Sequence, residues 1–221
     1  MPSATPSARG KRPLPWLVPG VLTGSLVPLL ELGYQACTGR LGANPIAEAL
    51  NRVGLLALAL LVLSLACTPL QIWFGWNWPI RIRKTLGLAA FGYACLHFAI
   101  YAALDQGLDL GAIGTDIVKR PFILVGFLAW LLLVPLALTS TQKALQRLRF
   151  RRWKALHRLV YACAALGVLH FVWRVKKDVT EPAFYGAVLG VLLLARVVDA
   201  VKKRRVRRPE RRALAAERAL G

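Results

Sequence analysis

Histidine is nearly absent from this chain: of 221 residues only His97, His157 and His170 are histidine, and each lies within an apolar segment. Cysteine is scarce as well, four residues with no CxxC pair, so neither a zinc-site spacing nor a dithiol redox motif is present. No strand pattern is found and no GxGxxG follows one, which removes the usual dinucleotide or flavin fingerprint. Acidic residues number ten against 30 Lys and Arg, and the resulting net charge of +20 belongs to a chain that is 57% hydrophobic. A soluble globular domain rarely combines those two properties.

What is present is a series of apolar runs near the length needed to cross a bilayer, separated by short charged or Pro/Gly-containing stretches. They fall at about 14–33, 52–70, 86–104, 121–139, 156–173 and 182–200. The opening MPSATPSARGKR has the positive flank of a signal peptide. The run that follows is long, contains Pro19 and Pro28 and lacks a small-residue cleavage site, so it reads as a retained first helix. With the N-terminus inside, the inner segments hold 22 Lys and Arg and the outer loops seven, with Arg196 inside the sixth run. The expectation is therefore an all-α, six-helix transmembrane bundle with both termini cytoplasmic. It divides into a cytoplasmic segment 1–13, a bundle 14–200 and a basic cytoplasmic tail 201–221, with no internal repeat and no second, soluble domain. The tail, VKKRRVRRPERRALAAERALG, is expected to fray or to lie on anionic lipid headgroups. Nothing resembles a groove-reading module, so nucleic acid is not its partner.

The topology sets the depth of each histidine. His97, in YACLHFAIYAALD, lies past the middle of the third run towards the outside, and His170 lies at the outer side of the fifth. Two neutral imidazoles on different helices at one level can fill both axial positions of a haem iron, which hides two polar nitrogens by coordination. A histidine hydrogen-bonded to a neighbouring helix is the other reading. His157 stands at the inner end of the fifth run, about 20 Å from His170 at helical rise. The 13-residue step between them turns by about 140° on an ideal helix, so the two do not face one slot. Across from His157 the chain has RIRKTLGL, in which Arg83 lies 14 residues before His97, nearly on the same face. His157 with Arg83 is thus either a contact to a second haem or other cofactor, or a propionate or headgroup contact.

One membrane helix carrying a histidine near its outer end, followed by another carrying two, resembles the ferric-reductase-like transmembrane superfamily. More closely, the chain resembles the MsrQ (YedZ) family, the haem-binding membrane subunits of periplasmic protein-methionine-sulfoxide reductase systems. The resemblance runs through LGANP (41–45), ACTPL (66–70), RKTLGL (83–88), YACLHFAIY (93–101), DIVKRPFILVG (116–126), PLALTST (135–141), WKALHRLVY (153–161) and EPAFY (181–185). It implies that His97, His157 and His170 match the family's three histidines, that haem b is the cofactor, as one group or two, and that the protein sits in the bacterial inner membrane. It also implies the quinone pool as electron donor and a periplasmic molybdopterin enzyme, MsrP, as partner. FMN is associated with the family too.

Superfamily members with their own dehydrogenase carry a C-terminal flavin and nicotinamide domain, whereas here about 20 residues follow the last apolar run. Electrons are then expected from a membrane quinol or from a separate cytoplasmic flavin reductase. No catalytic sulfoxide-reducing residue is expected, since Cys37 is poor support for an activated thiolate. Cys67, Cys95 and Cys163 fall in membrane helices as packing residues. Trp73, Trp76 and Trp78 read as an aromatic belt or as a quinone or haem edge contact. Asp105, Asp109 and Asp116 make an acidic outer loop that can dock a basic partner. Arg196 and Asp199, three apart, can pair, with Arg196 reaching the inner headgroups. Three classes of function remain: an electron-transfer subunit, a ferric-reductase-like oxidoreductase acting on metal ions or oxygen, and a small transporter with proton-relaying histidines.

Overall fold

A computed structural model describes residues 14–175 and 177–220. The described residues form helices only: α1 (Leu17–Cys37), α2 (Pro45–Phe74), α3 (Trp78–Ile100) running into one π-helical turn (Tyr101–Asp105), α4 (Leu110–Lys119), α5 (Pro121–Leu138), α6 (Gln142–Leu156), α7 (Leu159–Arg174) and α8 (Thr180–Leu220). In hydrocarbon every backbone polar group must find its partner inside the segment, and a helix achieves that without neighbours. Five of these elements are long and apolar enough to cross a membrane: α1, α2, α3 with its π turn, α5 and the 180–203 part of α8. The pair α6 and α7, bent by 43° at its break, makes a sixth if counted as one span.

Local signals set the helix ends. The LGANP stretch starts α2: Asn44 Oδ1 accepts from the Ala47 amide at 3.1 Å and Pro45 occupies the first turn, where no amide is needed. α2 stops at Gly75, whose φ of +69° lies in the left-handed region that glycine adopts without strain. Trp76 and Asn77 then turn the chain into α3, which begins eight residues before the expected 86 because Arg81, Arg83 and Lys84 continue the helix. Around that turn Phe74, Trp76 and Trp78 stack in sequence at 5.0 and 6.2 Å, all exposed, as an interfacial aromatic girdle does.

α2 is the central helix, with 44% of its membrane segment buried against 11% for α1. Leu58, Leu65, Ala90, Leu133, Ala164 and Leu189 form the main cluster, which joins α2, α3, α5, α7 and α8. Lipid is as apolar as leucine, so burial alone does not hold such helices together; close packing does, and small residues such as Ala90 and Ala164, both at most 1% exposed, permit it. The large apolar side chains left outside, Leu30, Leu131 and Leu194 among them, face where lipid would lie.

Three expectations change. The acidic outer loop contains a helix, α4, with Asp109 as its cap: Oδ1 accepts from Gly111 and Ala112 at 2.8 and 3.0 Å. The tail does not fray at residue 201, since the backbone of α8 stays helical to Leu220. Arg196 does not pair with Asp199, which takes Lys203 at 2.7 Å instead. Arg196 turns into the bundle, donating to the Tyr161 hydroxyl at 2.6 Å and the Leu65 carbonyl at 2.5 Å. Two fixed acceptors on α7 and α2 outweigh one local carboxylate that a lysine one turn on can reach.

Candidate haem site

Four helices, α2, α3, α5 and α7, surround a cavity of about 370 Å³ that opens beside the π turn. His97 from α3 and His170 from α7 both line it. Their ring centroids are 6.2 Å apart and the ring planes stand at 84° to each other.

Each ring rests in a seat of the same construction. His97 Nδ1 lies 3.0 Å from the Leu50 carbonyl, and His170 Nδ1 lies 2.7 Å from the Phe122 carbonyl. A carbonyl can only accept, so both Nδ1 atoms carry the proton and both Nε2 atoms keep a lone pair, the tautomer a metal ligand needs. Four residues beyond each carbonyl, on the same helix face, stands a glycine: Gly54 after Leu50, Gly126 after Phe122. A Cβ at Gly54 would lie 3.0 Å from the His97 ring, and one at Gly126 would lie 2.6 Å from His170 Nδ1. Only glycine lets either ring lie against the helix that orients it.

The seats fit a metal that brings its own equatorial donors. Among the described residues no group of three or more His, Cys, Asp or Glu could hold a bare ion. With metal–imidazole bonds of about 2 Å and about 1 Å more from nitrogen to ring centre, two axial imidazoles put their centroids roughly 6 Å apart. The observed 6.2 Å agrees with that. Around the histidines the walls are apolar: Phe98 stacks on Trp130 at 4.7 Å and 15°, Phe127 packs against both, and Leu58, Leu61 and Leu133 close the inner end. Trp130 Nε1 donates to Cys95 Sγ at 3.4 Å, which satisfies its one polar atom. Cys37, Cys67, Cys95 and Cys163 are all unpaired.

His157 lies elsewhere. It caps the C-terminus of α6 at the bend before α7, so it is not on the helix that carries His170. Its ring stacks on Trp153 at 4.1 Å and its Nε2 meets the Thr139 hydroxyl at 3.1 Å. Arg83 places Nη1 3.5 Å from the Thr68 hydroxyl. The structure thus brings His97 and His170 together and sets His157 apart, against Trp153 and Thr139. The acidic loop residues are largely engaged: Asp109 caps α4, and Asp116 takes Arg120 at 3.2 Å and the Tyr101 hydroxyl at 3.4 Å. Sequence reasoning missed Gly54, Gly126 and the two carbonyls. The only visible sign was a glycine four residues after an unremarkable apolar residue in a helix.

Residues 53–168, just over half of the chain, match the family described as ferric reductase like transmembrane component. The bundle and its match define the class: a ferric-reductase-like transmembrane protein with several membrane-spanning helices. The protein-methionine-sulfoxide reductase heme-binding subunit MsrQ of Deinococcus radiodurans is 53% identical over 190 residues, 86% of this chain and 94% of that protein. The MsrQ proteins of Rhodospirillum rubrum and Brucella anthropi are 50% identical over 185 residues (84% of this chain, 89% of the relative) and 42% identical over 208 (93% and 94%). Within that class, the chain belongs to the MsrQ family. It is a multi-pass protein of the inner membrane, where spanning proteins are helical. No solved structure matches it.

Proposed function

We propose that the protein is a haem-b electron-transfer subunit. It carries electrons from the quinone pool, or from a cytoplasmic flavin reductase, to a periplasmic molybdopterin methionine-sulfoxide reductase of the MsrP type that repairs oxidised envelope proteins. The observation that carries this reading is the pair of seats: His97 and His170, each with Nδ1 bonded to a carbonyl and each lying over a glycine, across one apolar cavity. Haem bound there supplies a one-electron redox centre. The chain supplies the rest. His97 and His170 would hold the haem iron through Nε2, the carbonyls of Leu50 and Phe122 hold their tautomers, and the Phe98–Trp130 wall would keep water from it.

The membrane arrangement that accompanies this reading has six spans, with α6 and α7 counted as one. Residues 1–13 and the basic tail 201–221 lie on the cytoplasmic side and the bundle comprises 14–200; residues 1–13 fall outside the described residues. The asymmetry of 22 inner against seven outer Lys and Arg supports it. The tail then faces anionic lipid. His157 and Arg83 lie at the inner side and serve electron entry, as contacts to a second haem or to another cofactor. FMN is suggested by the family resemblance alone and has no part in this reading.

Purified protein should show a Soret band and a reduced α-band, and quinol or a flavin reductase should reduce it. Re-oxidation by an oxidised periplasmic molybdoenzyme supports the proposal. Re-oxidation by ferric ions or oxygen but not by that enzyme would support the metal- or oxygen-reducing alternative. Absence of the bands would sink both.

A further inference from the structure

We infer that Arg174 is the carboxylate-binding residue of the His97–His170 cavity and so fixes which way round the porphyrin sits. The inference rests on the haem reading above and adds an orientation to it. The cavity is chemically lopsided. Its inner end is lined by Leu61, Ala90, Leu133 and Cys163 and carries no charge, whereas its mouth is lined by Asn51, Tyr101, Asp105, Arg120 and Arg174. A carboxylate pushed to the inner end would lose its hydration with nothing to replace it. At the mouth it meets two guanidinium groups.

The two arginines are not equivalent. Arg120 is already neutralised in part, holding Asp116 at 3.2 Å, and its side chain is mostly exposed. Arg174 donates Nη1 to the neutral amide oxygen of Asn51, and among the described residues it has no carboxylate within ion-pair distance. It is half-buried and lies within Coulombic reach of both histidines. Asp105, among the described residues the one carboxylate lining the cavity, is exposed and accepts from Gln106 Nε2 at 2.9 Å. Asn51 stands one residue after the carbonyl that orients His97, and Arg174 stands one turn after His170. The bond between them therefore ties the mouth to both seats. A planar guanidinium held this way can still present its remaining N–H groups to one carboxylate. The porphyrin is seated with its carboxylate edge at the mouth and its apolar edge among the leucines.

The test is a titration of the full-length chain, produced without haem, with haem b and with its dimethyl ester, in which both carboxylates are capped. Loss of one charge-assisted contact corresponds to about tenfold or more in affinity. Wild type should bind haem b at least about tenfold more tightly than the ester. Arg174→Gln should weaken haem b, leave the ester unchanged and bring the ratio near one; Arg174→Lys should keep part of the preference. Equal binding of both compounds by wild type, or a preference that survives Arg174→Gln, overturns the inference while leaving the haem reading intact. If wild type gives no low-spin spectrum with either compound, the haem reading fails and the inference goes with it. Should Arg174→Gln bind neither, Arg174→Lys decides: a retained preference supports the assignment, and a lost one refutes it.

Discussion

Adding one methyl group to Gly126 should damage the site more than any other substitution of comparable size. The new Cβ would lie 2.6 Å from His170 Nδ1, 2.9 Å from Cε1 and 3.1 Å from Cγ. Comfortable contact needs about 3.5 Å, so the ring must recede by close to 1 Å. The bond from Nδ1 to the Phe122 carbonyl, now 2.7 Å, does not survive a displacement of that size. Overpacking costs about 1–3 kcal/mol and the lost hydrogen bond about 1 kcal/mol, against a gain of about 0.5–1 kcal/mol from replacing a helical glycine by alanine. The net is about 2 kcal/mol of lost stability, concentrated on a residue proposed to hold the iron. Haem content per protein and the low-spin spectrum measure the consequence: Gly126→Ala should lose most of both. Gly54→Ala, whose Cβ would meet His97 at 3.0 Å, should do less harm, and Gly92→Ala, with nothing within 4 Å, should be neutral. If Gly126→Ala bound haem as wild type does, the seat would not be what orients His170.

His157→Ala should keep the spectrum of the outer pair yet slow its reduction by quinol or a cytoplasmic reductase, leaving the later step to the partner unchanged; stopped-flow mixing separates the two. If it instead erased that spectrum while reduction of any remaining haem stayed fast, the inner-entry assignment would fail. A reporter fused at Gly221 should be active only in the cytoplasm and one placed in 105–120 only outside, and opposite activities would invert the electron path. Arg196→Leu should destabilise the protein measurably in thermal unfolding, because it abandons the Tyr161 hydroxyl and the Leu65 carbonyl together. An Asp199→Asn variant should be nearly silent, since its pair with Lys203 is exposed and such pairs contribute about 0–1 kcal/mol.

The sequence was legible wherever a physical requirement forced a pattern. Hydrocarbon demands long apolar helices, so α1, α2, α3, α5 and the first part of α8 could be read within several residues. Histidine is costly in that setting, so His97 and His170 stood out and their shared depth followed from counting. α4 was hidden because its ten residues are too few to cross a membrane, although they are amphipathic and Asp109 before Leu110 was a usable cap signal. α6 was hidden because six of its 15 residues are basic and its helix is interrupted at Arg149, so it offers no long apolar run. The seats could not be read at all. A backbone carbonyl has no letter of its own, and a glycine in a membrane helix usually means only close packing. Arg196 was misread for a related reason: a neighbour three residues away is visible in sequence, while acceptors 35 and 131 residues distant are not.

His97 and His170 are proposed to hold one iron from opposite sides. Electron paramagnetic resonance of the oxidised protein, with haem quantified per protein, tests it in the single variants His97→Ala and His170→Ala. The same low-spin signal should disappear from both, because either loss breaks the same pair of ligands. A full, unshifted low-spin signal in either variant would contradict it.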